Sequence, residues 1–281
     1  MVKAKSSNRP GQILLMLILI SSVLLTVGLS MTQIGVNETK ISKMEEESKK
    51  AFQAADAGIE KTLDSLKNDP NITGIEIPSS DLNQVGVKTQ ILTSTQVNPR
   101  QFKTPVIKKD EQFTFYLANY DQTAETWSNS YNGNLTFYLN SNDKTNCASG
   151  SRDVPAIELT YIYSNPYTTE KYIIDSCNTF TTPDNRVLNT QDYNGAANSY
   201  FVNFNKVTNE PLSIDSSKNP RIVIARVLYG DTMVGFEGSA DLKGQGKYIT
   251  STANSSTNVT KKVELFQSLP QIPADFFVTS F

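Results

Sequence analysis

Between Gln12 and Asn37 the chain carries no ionisable side chain, and from Glu38 to Lys67 it continues, with no proline or turn cluster, as a polar segment in helical register. At about 1.5 Å per residue, the apolar run Ile13–Ile34 is long enough for a hydrocarbon core of roughly 30 Å. A Lys or Asp near its centre would cost about 2.5–3.5 kcal/mol on insertion, and it holds none. Lys3, Lys5 and Arg9 lie on its N-terminal side only, whereas Glu38, Lys40, Lys43 and Glu45–Glu47 mix signs on the other. The positive-inside rule therefore places residues 1–10 in the cytoplasm and everything after Asn37 outside. A cleaved secretory signal is the competing reading. It fits less well, because the apolar run exceeds the usual h-region of about 7–15 residues and no A-x-A-like site follows.

Residues 38–68 read as an amphipathic helix continuing the first without a break. Ile41, Met44, Ser48, Phe52, Ala55, Ile59, Leu63 and Leu66 fall three or four apart, which predicts one packing stripe. Glu45 with Lys49, and Glu46 with Lys50, place a carboxylate four residues before an ammonium, the favourable order on an exposed face. Gly28, Gly35 and Gly58 are single and tolerable. A helix of some 55 residues would be about 80 Å long. Its second half needs a partner for the stripe, and the rest of the chain supplies one. A membrane tether followed by a short coiled coil is the alternative.

After Asn68-Asp69-Pro70 the pattern changes, and residues 70–281 are rich in Asn, Ser, Thr and Tyr. Expected strands are 88–93, 113–118, 135–139, 156–163, 171–174, 200–205, 222–229, 232–236, 247–253 and 261–268. Turn clusters separate them, and Tyr229-Gly230-Asp231, between two apolar runs, reads as a hairpin. The expected fold is α+β: one long N-terminal helix, half transmembrane (12–37) and half amphipathic (38–68), on a mainly antiparallel β-rich head (70–281). The whole chain has 38% hydrophobic residues, 12 Tyr and 13 Phe, enough material for a core. Cys147 and Cys177 both lie in it, and outside the membrane a disulfide is the default. Such a bridge would close a loop of about 30 residues and stabilise by roughly 3–4 kcal/mol. Two buried free thiols are the alternative.

The formal net charge of −2 offers no basic nucleic-acid surface, and no histidine occurs. That removes Ser-His-Asp triads, Cys-His pairs and H-E-x-x-H zinc sites. Gly244-Gln245-Gly246 lacks the third glycine of a dinucleotide fingerprint and reads as a turn. No cofactor is expected. One weak calcium candidate is the oxygen-rich segment with Asp184, Asp192 and Asn194. Its first ligand position would be Thr190 and no closing Glu follows, so local turn chemistry is the competing reading.

Two stretches carry a family resemblance. Pro10-Gly11 before the apolar helix, followed by Ala51-Phe52-Gln53-Ala54-Ala55-Asp56-Ala57-Gly58-Ile59-Glu60, resembles the N-terminus of PilX-type minor pilins of type IV pilus systems. It is also similar to K-type minor pseudopilins of type II secretion. Gly246–Thr252, Lys261–Leu265 and Ser268-Leu269-Pro270 look like the closing strands of such heads. The resemblance covers residues 9–67 and, more weakly, 246–281; residues 70–245 carry none.

The resemblance implies a pilin-like fold and a structural role. Prepilin peptidase would cut after Gly11, removing the leader 1–11 and leaving Gln12 as an N-methylated terminus. Most pilins place a Glu at the fifth mature position; here that residue is Met16, which fits an initiating or tip subunit that need not pair with one above it. Implied partners are other pilins and minor pilins, membrane lipid, a polytopic platform protein and, through it, an assembly ATPase. Two other classes stay open: a bitopic membrane protein whose head is an adhesin or ligand-binding module, and a signal-anchored extracytoplasmic enzyme.

Overall fold

Residues Pro10–Asn68 form one α-helix, α1, of 59 residues. The structure, a computed structural model, describes residues 10–80, 82, 85–121, 124–140, 154–175, 177, 187–191, 200–201, 204–207, 212–214 and 216–273. The helix is unbroken because nothing between Gly11 and Asn68 removes a backbone donor, and Asp69-Pro70 ends it.

The described residues after α1 form strands β1 (Glu76–Ile77) and β2 (Gly86–Thr93), then a one-turn helix α2 (Ser94–Val97) and β3 (Gln101–Lys103). Next come β4 (Gln112–Tyr116), β5 (Asn119–Asp121), β6 (Thr126–Ser128) and β7 (Asn134–Leu139). They continue with β8 (Ala156–Ser164), β9 (Tyr167–Asp175), β10 (Val187–Gln191), β11 (Asn205–Val207) and β12 (Leu212–Ser213). The last are β13 (Pro220–Leu228), β14 (Val234–Gly238), β15 (Gly246–Asn254) and β16 (Thr260–Ser268).

Chain contacts divide the protein into two compact units, one of residues 1–90 with 250–264, the other of residues 91–249 with 265–281. The first holds α1 and most of a four-stranded sheet ordered β1-β2-β15-β16. Here the second half of α1 packs on the sheet: Ala51, Ala54 and Ala55 bury against Ile77, Val85, Val87 and Ala253. The protein is thus α+β, a long N-terminal helix packed on an antiparallel, β-rich body.

The second unit holds a ten-stranded sheet running β3-β14-β7-β11-β10-β9-β8-β13-β4, with β12 beside β7. Its pairings are antiparallel except for β9 with β10. Side chains alternate across it, so Phe113 and Phe115, Val223 and Val227, Ile157, Leu159 and Tyr161, and Leu135 and Phe137 share one buried core. The two ends of the sheet face each other over that core. Phe115 of β4 stacks on Phe236 of β14 with centroids 3.9 Å apart, and Phe102 of β3 lies 5.7 Å from Phe113.

Two strand expectations change. Tyr229-Gly230-Asp231 does not close a hairpin: β13 pairs with β4 and β8, while β14 pairs with β3 and β7. Tyr200 and Phe201 lie in a turn rather than a strand, and pairing begins at Asn205. The aromatic character that predicted a strand serves packing instead, with Phe201 stacked on Tyr138 at 4.2 Å. Gly235 leaves room for that ring, which a Cβ there would strike.

Candidate functional site

From Leu14 to Glu46 every residue of α1 is exposed within the chain. The segment from Leu14 is long and apolar enough to cross a membrane. Most of its hydroxyls, though not that of Ser30, are satisfied within the helix. Ser21, Ser22 and Thr26 donate to the carbonyls of Ile18, Leu19 and Val23 at 3.0, 2.9 and 2.8 Å, and Thr39 donates to that of Gly35 at 2.8 Å. Hydroxyls returned to the backbone in this way are tolerated by a segment in hydrocarbon.

Gly11 and Gln12 lie in the first turn of α1, and Met16 is exposed on it. No acidic side chain lies in that turn.

The packing stripe is displaced from its expected position. Ala55, Ile59 and Leu66 are buried and Leu63 is half-buried, but Phe52 is 54% exposed, and Ile41 and Met44 are exposed as well. The face that docks is Ala51, Ala54, Ala55, Gly58, Ile59, Thr62 and Leu66. It is rotated toward the small residues because they let helix and sheet approach closely. A Cβ on Gly58 would run into Ser251 Oγ and come within 2.7 Å of Val87 Cγ1. Beside it the Thr62 hydroxyl lies 3.0 Å from that of Thr89, which also accepts the Ile75 N–H at 2.9 Å. The spacing of Ala51, Ala54, Ala55 and Gly58 (i, i+3, i+4, i+7) was the available signal; a hydrophobicity count passes over it in favour of Phe52.

Of the two expected ion pairs on α1, Lys50 meets Glu46 at 2.8 Å and also approaches Glu47 at 3.7 Å. The Lys50 hydrogen bond and charge lower the Glu46 pKa, and the same contact raises that of Lys50. Glu45 and Lys49 do not pair. Lys49 instead lines a shallow groove with Ser48, Phe52, Gln53 and Lys261 of β16.

A second, polar cleft opens in the larger unit beside Arg100, Gln101, Thr136 and Glu237. Glu237 accepts from Gln101 Nε2 at 2.7 Å and from the Tyr138 hydroxyl, so both its oxygens are engaged. Among the described residues no group of three or more Cys, Asp or Glu side chains is placed to hold a metal ion. The calcium candidate Asp184, Asp192 and Asn194 lies outside the described residues, as does Cys147. Cys177 is described, and its N–H donates to Asp175 Oδ1 at 2.9 Å. No protein-family model and no curated protein matches the chain.

Proposed function

We propose that the chain is a pilin-type structural subunit: it waits in a membrane, held by α1, and enters a filament when that helix exchanges lipid for the helices of other subunits. The observation that carries this reading is the single 59-residue helix, bare and apolar in its first half and docked on a sheet by small residues in its second. A simple tether needs no rigid continuation into the folded body, whereas a subunit whose apolar rod must be positioned by its head does. Residues 1–10 face the cytoplasm and the β-rich body faces outward. Prepilin peptidase cleaves after Gly11, and Gln12 becomes an N-methylated terminus. Met16, where a carboxylate would seek a partner in an apolar bundle, fits an initiating or tip subunit. The role is assembly with other pilins through a platform protein and its ATPase, not catalysis. Outside the membrane Cys147 and Cys177 form a bridge.

N-terminal sequencing of the protein from its native membrane tests the reading. A start at Gln12 is expected. A start at Met1 would make it a tether, and a start beyond Asn37 would make it a secreted protein. The polar cleft around Glu237 favours one second reading, a membrane-anchored ligand-binding module, which predicts the Met1 start and no protein in sheared fibres.

A further inference from the structure

The polar cleft beside Glu237 is laid out in one row across three neighbouring strands. Glu237 of β14 pairs in register with Gln101 of β3 on one side and with Thr136 of β7 on the other, so the three side chains leave the same face of the sheet. Asn134, two residues before Thr136, joins them on that face. Their chain neighbours Phe102, Phe137 and Phe236 point the other way, into the core. The cleft has a volume of about 470 Å³, inside the range of about 300–1,000 Å³ for small-molecule sites.

Some of its polar groups are fixed and others are free. The Glu237 carboxylate is held by Gln101 Nε2 at 2.7 Å and by the Tyr138 hydroxyl, and each oxygen keeps a lone pair for a further donor. Arg100 donates its Nε–H to Asp241 Oδ1 at 3.3 Å. Among the described residues its terminal nitrogens, the Thr136 hydroxyl and the Asn134 carboxamide make no hydrogen bond. The Ser239 hydroxyl accepts the Asn134 N–H at 2.9 Å and has its own proton to give.

This inventory selects the occupant. No Val, Leu, Ile, Met or aromatic side chain lines the cleft, so an apolar ligand would leave its polar groups desolvated and unpaired. Arg100 is ion-paired with Asp241, which weakens its pull on an anion. A lone ammonium would engage Glu237 and leave Thr136, Asn134 and Ser239 idle, whereas adjacent hydroxyls on a ring use all of them. We propose that the cleft binds a neutral sugar, with two adjacent ring hydroxyls donating to Glu237 and others meeting Thr136, Asn134 and Arg100. Sugar binding is a property of the β-rich body alone, beyond the filament reading, and holds or fails whatever the N-terminus proves to be.

Saturation-transfer NMR on the full-length chain, in a detergent without a sugar headgroup, tests it. The probes are glucose, galactose, mannose and N-acetylglucosamine, with lysine and inorganic phosphate as charged competitors. Transfer to at least one sugar is expected, with its Kd raised about fivefold or more by E237Q and by T136V. E237Q also disturbs Gln101 and Tyr138, so a loss of folding there would leave T136V to decide. That change keeps the side-chain shape and removes a hydroxyl without a described partner, so the thermal midpoint should not move. No transfer to any of the sugars would overturn the proposal. So would an affinity that T136V, or a folded E237Q chain, leaves unchanged, or displacement of the sugar by lysine or phosphate, which would mark a site for a charged ligand.

Discussion

Gly58 gains nothing from conformational freedom, since it sits mid-helix; its value is the missing Cβ. Alanine there raises helix propensity by about 1 kcal/mol, yet the new methyl meets Ser251 and Val87, and overpacking costs typically 1–3 kcal/mol. G58A should lower stability by up to about 2 kcal/mol in urea unfolding of detergent-solubilised protein, with partial recovery in G58A/S251A. An additive double variant would deny the contact. Tyr161 is the opposite case, wholly buried with its hydroxyl unpartnered. Y161F removes a desolvated polar group without opening a cavity, so its unfolding free energy in urea should hold or rise, by up to about 1 kcal/mol. Tyr248 supplies a pH signature. Burial, with Tyr200 beside it, pushes its pKa up to about 12. A folded-state pKa above the unfolded value of about 10 means a contribution fully present below pH 10 and lost as pH climbs through 12. Thermal midpoints should fall over that window and fall less in Y248F. Of these residues only Gly58 left a trace in the sequence, because a hydroxyl's burial and a ring's neighbour depend on strands far along the chain.

At the scale of elements, β4 shows why local pattern runs out. It ends the ten-stranded sheet, so its outer edge has no strand partner. Gln245 supplies one by imitation: the Tyr116 N–H donates to its Oε1 and its Nε2 donates to the Tyr116 carbonyl, both at 2.8 Å. One step along, the Thr114 N–H donates to Gln271 Oε1 at 2.6 Å, and the Tyr116 hydroxyl donates to the Pro270 carbonyl at 2.6 Å. Gly244-Gln245-Gly246 is legible as a turn, but the glutamine's partner lies 129 residues away and no spacing announces it. The same holds for β13 and β14, each recognisable alone, whose turn invited a hairpin although their neighbours are distant strands. Period-two alternation tells which face of a strand is buried, not what lies beside it. Q245A should strand both Tyr116 backbone groups and cost roughly 2–4 kcal/mol, with new self-association as the edge opens. A loss under about 0.5 kcal/mol in urea unfolding would mean that water replaces the amide at no cost.

For the whole molecule, the legible part is the spine. Absence of charge over 12–37 and absence of helix breakers over 12–68 are properties of the chain itself, and α1 follows from them with little help from tertiary contacts. What the sequence left open is the side of the spine that the body covers, because close approach is decided by side-chain volume as much as by hydrophobicity. This division of labour predicts how the two halves of α1 respond to one kind of change. Leu24 sits near the middle of the apolar run and is exposed, so L24K breaks no contact within the chain. If the run lives in lipid or among apolar helices, the ammonium costs about 2.5–3.5 kcal/mol. The share of protein resisting alkaline extraction from membranes should drop severalfold, while urea unfolding of the β-rich body stays unchanged. F52K, on the same helix but beyond the apolar run, should leave extraction unaffected. Equal behaviour of the two variants would mean that α1 is not divided between an apolar and an aqueous environment, and the membrane placement would fall with it.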